Sequence, residues 1–309
     1  MATEALEDRG SARARGRTRP WRRIPFAGRM MAPALIVLAA LSLFPFVYIV
    51  IMSLSRVGLI GGISLHWAGL DNWSKLFGDS TVGAAWVRSI VYFVLTVGLE
   101  MLIGIGIALL VHGLVWGRNL VTSLLLMPMF MAPVIVGLLG RFLTDSTYGL
   151  YAWALRQSHL YSGDILGGTK SAFVAVTLMD VWEWTPLIAL IVLAGLASLP
   201  KPVMEAARVD GANYWQRLRY IVLPMIMGVV VVALLVRSMD AIRYFDIIYN
   251  TTNGGPADAT KIVPIRLYET AFRFFDLGYA AAIGLSMLAV SILVANLFTR
   301  TLRRRGLAR

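Results

Sequence analysis

The 309-residue chain contains no cysteine and only three histidines, His66, His112 and His159. Without cysteine there is no disulfide framework, no thiolate metal site and no cysteine nucleophile, and the usual clue to redox compartment is missing. The histidines lie too far apart to form a local metal motif. Charge is scarce too: 15% of residues are charged, where soluble domains carry about a quarter. Acidic residues are the rarer, 17 Asp and Glu against 29 Lys and Arg, giving a formal net charge of +12. The chain is instead 58% hydrophobic, with a mean hydropathy of +0.71. This balance excludes an ordinary soluble single-domain enzyme.

The charges crowd into the ends and a few short segments, leaving runs of roughly 20 nearly uncharged residues, about the length that crosses a ~30 Å hydrocarbon layer. Six runs qualify: Met31 to Met52, Ser89 to Val111, Leu120 to Gly140, Ser171 to Leu193, Ile221 to Arg243 and Tyr279 to Thr299. None alternates with the period of two of a membrane barrel. The expected fold is therefore all-α, a polytopic membrane protein with six transmembrane helices. Residues 1–30 read as a disordered basic tail, 31–299 as the transmembrane domain and 300–309 as a second basic tail.

An even number of spans puts both termini on one side. The tail side holds 18 of the basic residues, against 11 on the opposite side and its adjoining helix ends. Lys and Arg resist translocation, so both termini are expected in the cytoplasm. The arginines from Arg9 to Arg29 read as a topology signal that touches anionic lipid heads, in preference to a nucleic-acid-binding arm. A cleaved signal peptide fits poorly, because about 30 polar residues precede an apolar run too long for a signal core.

The most informative stretch lies between the fourth and fifth runs: Leu199-Pro200-Lys201-Pro202-Val203-Met204-Glu205-Ala206-Ala207-Arg208-Val209-Asp210-Gly211-Ala212, continuing to Leu223-Pro224. Prolines end the fourth span, Met204 to Val209 is expected to form a short helix, and Gly211 permits a sharp break before a second amphipathic helix. Glu205 is expected near the start of the short helix, at the positive end of its dipole. Small Ala206, Ala207 and Ala212 let another backbone approach closely.

Glu205-Ala-Ala, Asp210-Gly-Ala, Leu218, Ile221 and Leu223-Pro224 at this spacing resemble the signature of binding-protein-dependent ABC importer permeases, with Leu218 standing where Phe is usual. Farther on, Phe245-Asp-Ile-Ile-Tyr249, Thr252-Asn-Gly-Gly-Pro256, Tyr268-Glu-Thr-Ala-Phe272 and Gly278-Tyr-Ala-Ala-Ala282 resemble the maltose-type carbohydrate permeases. The resemblance covers roughly residues 30 to 300 and is strongest from Trp182 onward. It implies the type I ABC importer permease fold in a bacterial or archaeal inner membrane. Residues from about 204 to 212 would be the coupling helix, with Glu205, Ala206, Ala207, Asp210, Gly211 and Ala212 seating in a cytoplasmic ATPase.

The phosphate-cradling sequence Gly-x-x-x-x-Gly-Lys-Ser/Thr is absent. This chain is thus expected to be a transport subunit and not an enzyme, with no cofactor of its own, ATP and Mg being bound by a partner. The resemblance implies a second homologous permease, two ATPase copies, an extracytoplasmic solute-binding protein and a carbohydrate-like substrate taken up by alternating access. An importer for an amino acid, phosphate or polyamine shares the cytoplasmic signature and is the alternative. The external Gly-Gly-Pro stretch separates the two.

Ionisable residues inside spans are costly unless they face protein or a wet interior. Glu100 sits mid-way along the second span, either as a packing residue or lining the pathway. Asp180 and Trp184 fall on one stripe of the fourth, an arrangement suited to a sugar: a carboxylate accepts from hydroxyls while an indole stacks on the ring's C–H face. Counting from Glu205, the family resemblance places substrate contacts at Asp180, Glu183, Trp184 and Leu187, and at Arg237, Asp240 and Tyr244. Arg237 and Asp240, three apart, could equally neutralise one another.

Overall fold

The computed structural model describes residues 26–304; nearly all of the expected basic tail at 1–30, and residues 305–309, lie outside the described residues. The chain divides into two units between Tyr48 and Ile49. The described part of the first belongs to α1 (Phe26–Ser53), an apolar helix that contains Pro33 and Pro45 and exposes Ile36, Leu41 and Phe44. A helix apolar all round suits a membrane span, where no face needs to be polar.

The second unit begins with the end of α1 and an antiparallel hairpin, β1 (Ser55–Gly58) and β2 (Ser64–Trp67), with Ser55 opposite Trp67. This hairpin is the exception to the all-α expectation. Its turn signal, Gly61-Gly62, is present in the sequence but is flanked by too little alternation to stand out. Two helices follow, α2 (Asp71–Gly78) and α3 (Ser80–His112). Asp79 caps α3: it accepts from the backbone N and the hydroxyl of Thr81 at 2.8 and 2.7 Å and from the Tyr279 hydroxyl at 2.8 Å. Partial burial raises its pKa, but these hydrogen bonds outweigh burial and hold it at about 2.

Next come α4 (Arg118–Leu126), α5 (Pro133–Leu143), α6 (Leu150–Gln157) and α7 (Thr169–Ala197). The third expected span, Leu120 to Gly140, is not one straight helix. A 3₁₀ turn at Pro128–Phe130 and a break before Pro133 bend the chain by 91° between Arg118–Phe130 and Pro133–Leu143. The cause is two prolines five residues apart, each removing a backbone donor and disfavouring helix in the residue before it. Five described helices are long and apolar enough to cross a membrane, or six if this bent pair counts as one span.

The remainder comprises α8 (Lys201–Val209), α9 (Tyr214–Arg217), α10 (Leu223–Ala241), α11 (Asp246–Thr251), α12 (Val263–Tyr268) and α13 (Leu277–Arg304). A π-helical turn, Leu218–Val222, joins α9 to α10. Pro224 explains it: its ring would crowd the carbonyl four residues back, and the wider turn opens that spacing. A second π turn, Glu269–Arg273, follows α12.

Helices α3, α7 and α10 pack against one another. Contact between α3 and α7 is close enough at Gly104 that an added Cβ would lie 2.8 Å from Ile188. Two apolar clusters form around the trio at different levels, the second shared with α11 and α12. One groups Ala108, Ile188, Val192, Leu196, Ile226 and Ala233. The other groups Tyr92, Val176, Tyr244, Ile247 and Ile265.

Candidate functional site

Between these clusters, α3, α7 and α10 each contribute charged side chains at the same level. Arg237 on α10 is fully buried, and so are Glu100 on α3 and Asp180 on α7. The guanidinium grips Glu100 through two bonds, Nε to Oε2 at 2.6 Å and Nη2 to Oε1 at 2.9 Å. Nη2 also donates to Asp180 Oδ1 at 2.7 Å, and Nη1 donates to Asp240 Oδ2 at 3.2 Å. The planar fork suits this many carboxylates; an ammonium would not. The second oxygen of Asp180 accepts from the Tyr92 hydroxyl at 2.9 Å. Charges held this deep need such complete pairing.

Toward the Tyr244 end the layer continues. Tyr244 donates to Glu183 Oε2 at 2.7 Å, and its ring stacks on Tyr92 with centroids 6.3 Å apart. The Arg237 guanidinium lies 5.3 Å from the centre of the Trp184 ring and 5.5 Å from that of Tyr244. Trp184 Nε1 and Ser238 Oγ are buried without a hydrogen-bond partner. Asp240 differs from the other acids in being 42% exposed.

Of the residues singled out in spans four and five, the structure brings Asp180, Glu183, Trp184, Arg237, Asp240 and Tyr244 into one layer. Leu187, one turn beyond Glu183, is half-buried and outside the hydrogen-bonded set. The pairing of Arg237 with Asp240 is real but shared, since Glu100 and Asp180 hold the same guanidinium more closely. Tyr92 escaped the sequence reading. It stands eight residues before Glu100, hence on the same helical face, and that periodicity was the available signal. Among the described residues no group of three His, Asp or Glu side chains is arranged to hold a metal ion.

The second candidate region is the α8–α9 corner. Helix α8 starts at Lys201, earlier than Met204, because Pro202 fits the first turn of a helix. Glu205 is consequently mid-helix, and the first turn has no acidic residue, contrary to the expected position at the dipole's positive end. The far end closes as expected at Gly211, whose φ is +76°. Ala212 N donates to Ala207 O at 3.0 Å and Gly211 N to Arg208 O at 3.1 Å, the paired bonds of a Schellman cap. Arg217 Nη1 ties the corner with a 2.6 Å bond to Ala212 O. Helix α9 then restarts on a reciprocal box between Asn213 and Gln216, a spacing legible in the sequence but unremarked. Glu205, Ala206, Asp210 and Gly211 are exposed, Ala212 half-buried and Ala207 buried.

Residues 100–306 match the family described as binding-protein-dependent transport system inner membrane component, and they include both the ionic layer from Glu100 and this corner. The chain belongs to that family. It is an importer permease, a transport subunit and not an enzyme. The permease is 31% identical over 230 residues to the trehalose/maltose transport system permease protein MalF of Thermococcus litoralis, covering 74% of this chain and 77% of that one. It is 29% identical over 279 residues to the sulfoquinovosyl glycerol transport system permease protein SmoG of Agrobacterium fabrum, covering 89% and 90%. In fold it matches a chain of a bacterial ABC transporter involved in the import of the acidic polysaccharide alginate, with a TM-score of 0.77 and 21% identity over 89% of this chain and 94% of that one.

Proposed function

We propose that the permease takes up a neutral, hydroxyl-rich sugar, with Trp184, Asp240, Glu183 and Tyr244 lining the route and Asp180, Arg237 and Leu187 flanking it. One observation carries this reading: the layer holds two buried polar groups without a hydrogen-bond partner, the Trp184 indole N–H and the Ser238 hydroxyl, together with one partly exposed carboxylate, Asp240. A sugar hydroxyl can accept from Trp184 and donate to Asp240, while the indole face covers ring C–H groups. Arg237 is a poor anchor for an acidic solute, because its Nε, Nη1 and Nη2 already hold carboxylates. The names of the relatives, one for trehalose or maltose and one for a sulfonated glycoside, support a sugar-like solute.

In this reading the α8 corner, through Glu205 to Ala212, seats in a cytoplasmic ATPase that supplies ATP and Mg. A second permease completes the pore, two ATPase copies drive it, and a solute-binding protein delivers substrate on the far side. Both termini face the cytoplasm, and closure of the ATPases tilts the helices for alternating access.

The test is uptake per assembled complex in proteoliposomes supplied with the binding protein and ATP. Trp184→Ala and Asp240→Asn are expected to lower it about tenfold each, the loss of one stacking or hydroxyl contact of ~1 to 2 kcal/mol. Assembly is expected to persist, since neither change strands a buried charge. Wild-type uptake by both variants would remove the layer from the route.

A further inference from the structure

Tyr244, one of the groups read above as lining the route, is not on a helix. It lies in the link of residues 242–245 between α10 and α11, where its backbone N reaches Ala241 O only at 3.4 Å. Regular backbone geometry therefore does not aim its ring, and side-chain contacts must. There are three: its hydroxyl donates to Glu183, its face meets the Arg237 guanidinium, and its ring stacks on that of Tyr92 with 23° between the planes. A sugar hydroxyl that bonds Glu183 competes with the first, and Arg237 flanks the route. Tyr92 neither lines nor flanks it. We propose that Tyr92 is a positioning residue: it touches no solute and acts through Tyr244, holding that ring, and with it the Glu183 carboxylate, in the geometry that receives a sugar. The proposal rests on the reading that Tyr244 and Glu183 line the route.

The surroundings of Tyr92 suit this role. It sits within α3, a regular helix of 33 residues, and is 1% exposed. The far end of the ring is pinned, since its hydroxyl donates to Asp180 Oδ2 at 2.9 Å while Arg237 holds the other oxygen of that carboxylate at 2.7 Å. Phe173 meets the same ring edge-on, with centroids 6.1 Å apart and 86° between the planes. The phenol is thus fixed at its backbone, at its hydroxyl and against a neighbouring ring, and it offers a rigid face to a side chain that its own backbone leaves free. A functional group on a link gains precision from a neighbour locked on a regular element. All these partners belong to this chain, and at 1% exposure another subunit has almost nothing of Tyr92 left to cover.

Hydroxyl and ring can be removed separately. Tyr92→Phe keeps the stacked face and frees its far end; Tyr92→Met fills much of the space with a flexible chain and removes the face. In the complete transporter in nanodiscs, without solute or nucleotide, Tyr244 is replaced by 3-fluorotyrosine. This ring is asymmetric, so a held side chain gives separate ¹⁹F resonances for its two flip states and a free one gives a single averaged line. The wild type is expected to give separate lines, Tyr92→Phe to merge them at a lower temperature, and Tyr92→Met to give one averaged line where the wild type shows two. Uptake per assembled complex is then measured in proteoliposomes with maltose as the probe and the solute-binding protein in excess. Tyr92→Met is expected to lower it about fivefold, the worth of one aromatic pair, and Tyr92→Phe less. In a Tyr244→Leu background Tyr92→Met is expected to lower it no further, because the group it acts through is gone. An averaged line in the wild type, or unchanged lines in Tyr92→Met, overturns the proposal, and neither result depends on which solute is carried. A full further loss in the Tyr244→Leu background overturns it too, by making Tyr92 a packing residue. If the lines behave as expected while Tyr92→Met and Tyr244→Leu both keep wild-type uptake, the ring is held but the reading of the route fails, and the positioning role falls with it.

Discussion

At the scale of single residues, Arg237 decides the most. It holds carboxylates from two other helices, so its removal would leave Glu100 and Asp180 buried with no cation. Breaking such a pair from one side costs about 3 to 5 kcal/mol, whereas replacing all members by apolar groups of similar volume is often neutral. Arg237→Met is therefore expected to lower the thermal midpoint and the yield of the purified complex. Adding Glu100→Leu and Asp180→Leu is expected to restore much of the loss. A melting curve for Arg237→Met matching that of the wild type would show that the layer does not hold the helices together. The sequence told part of this: Asp180, Arg237 and Asp240 were visible as charges where charges are costly. Which carboxylate would win the guanidinium was not visible, because Glu100 is 137 residues away and only the packing of α3 on α7 and α10 brings it in.

At the scale of elements, caps and breaks matter more than helix interiors. Gly211 occupies the left-handed region at the Schellman cap, with nothing within 4 Å of an added Cβ, so the obstacle to substitution is backbone strain and not space. Gly211→Ala is expected to cost about 1 kcal/mol locally, and Gly211→Val more, since branching penalises this conformation further. If the corner couples to an ATPase, solute-stimulated ATP hydrolysis in proteoliposomes falls in the order Gly, Ala, Val while the complex still assembles. Unchanged stimulation in the Val variant would refute that role. Asp79 gives a second case. Its pKa is held at about 2, below the ordinary 3.8, so its stabilisation of the α3 terminus is complete above the ordinary value and is lost only as pH falls through about 2. Asp79→Ala is expected to destabilise by ~1 kcal/mol equally at pH 5 and pH 8, and a difference between these in denaturation would contradict the assignment. The long helices were legible because their apolar runs are long. The bent third span and the two π turns were not, since hydropathy counts composition while proline geometry sets direction.

At the scale of the whole molecule, sidedness organises everything proposed for the two ends. The absence of cysteine from the sequence makes it directly measurable. Val115 and Ala257 are both exposed, the first in the link between α3 and α4 and the second in the Gly-Gly-Pro loop. An Ala257→Cys variant is expected to react with an impermeant maleimide in intact cells, and Val115→Cys only after lysis. The reverse pattern would invert the topology and move the α8 corner away from any cytoplasmic ATPase.

The ionic layer also has a consequence for biogenesis. Glu100 and Asp180 are synthesised well before Arg237, and a lone charge at the centre of a helix opposes insertion by about 2.5 to 3.5 kcal/mol. During that interval α3 and α7 each carry an acid that lipid disfavours. Their lateral release from the translocon is then best completed in company with α10, so that the nascent helices leave as a group and the arginine arrives as the last piece that makes the group lipid-soluble.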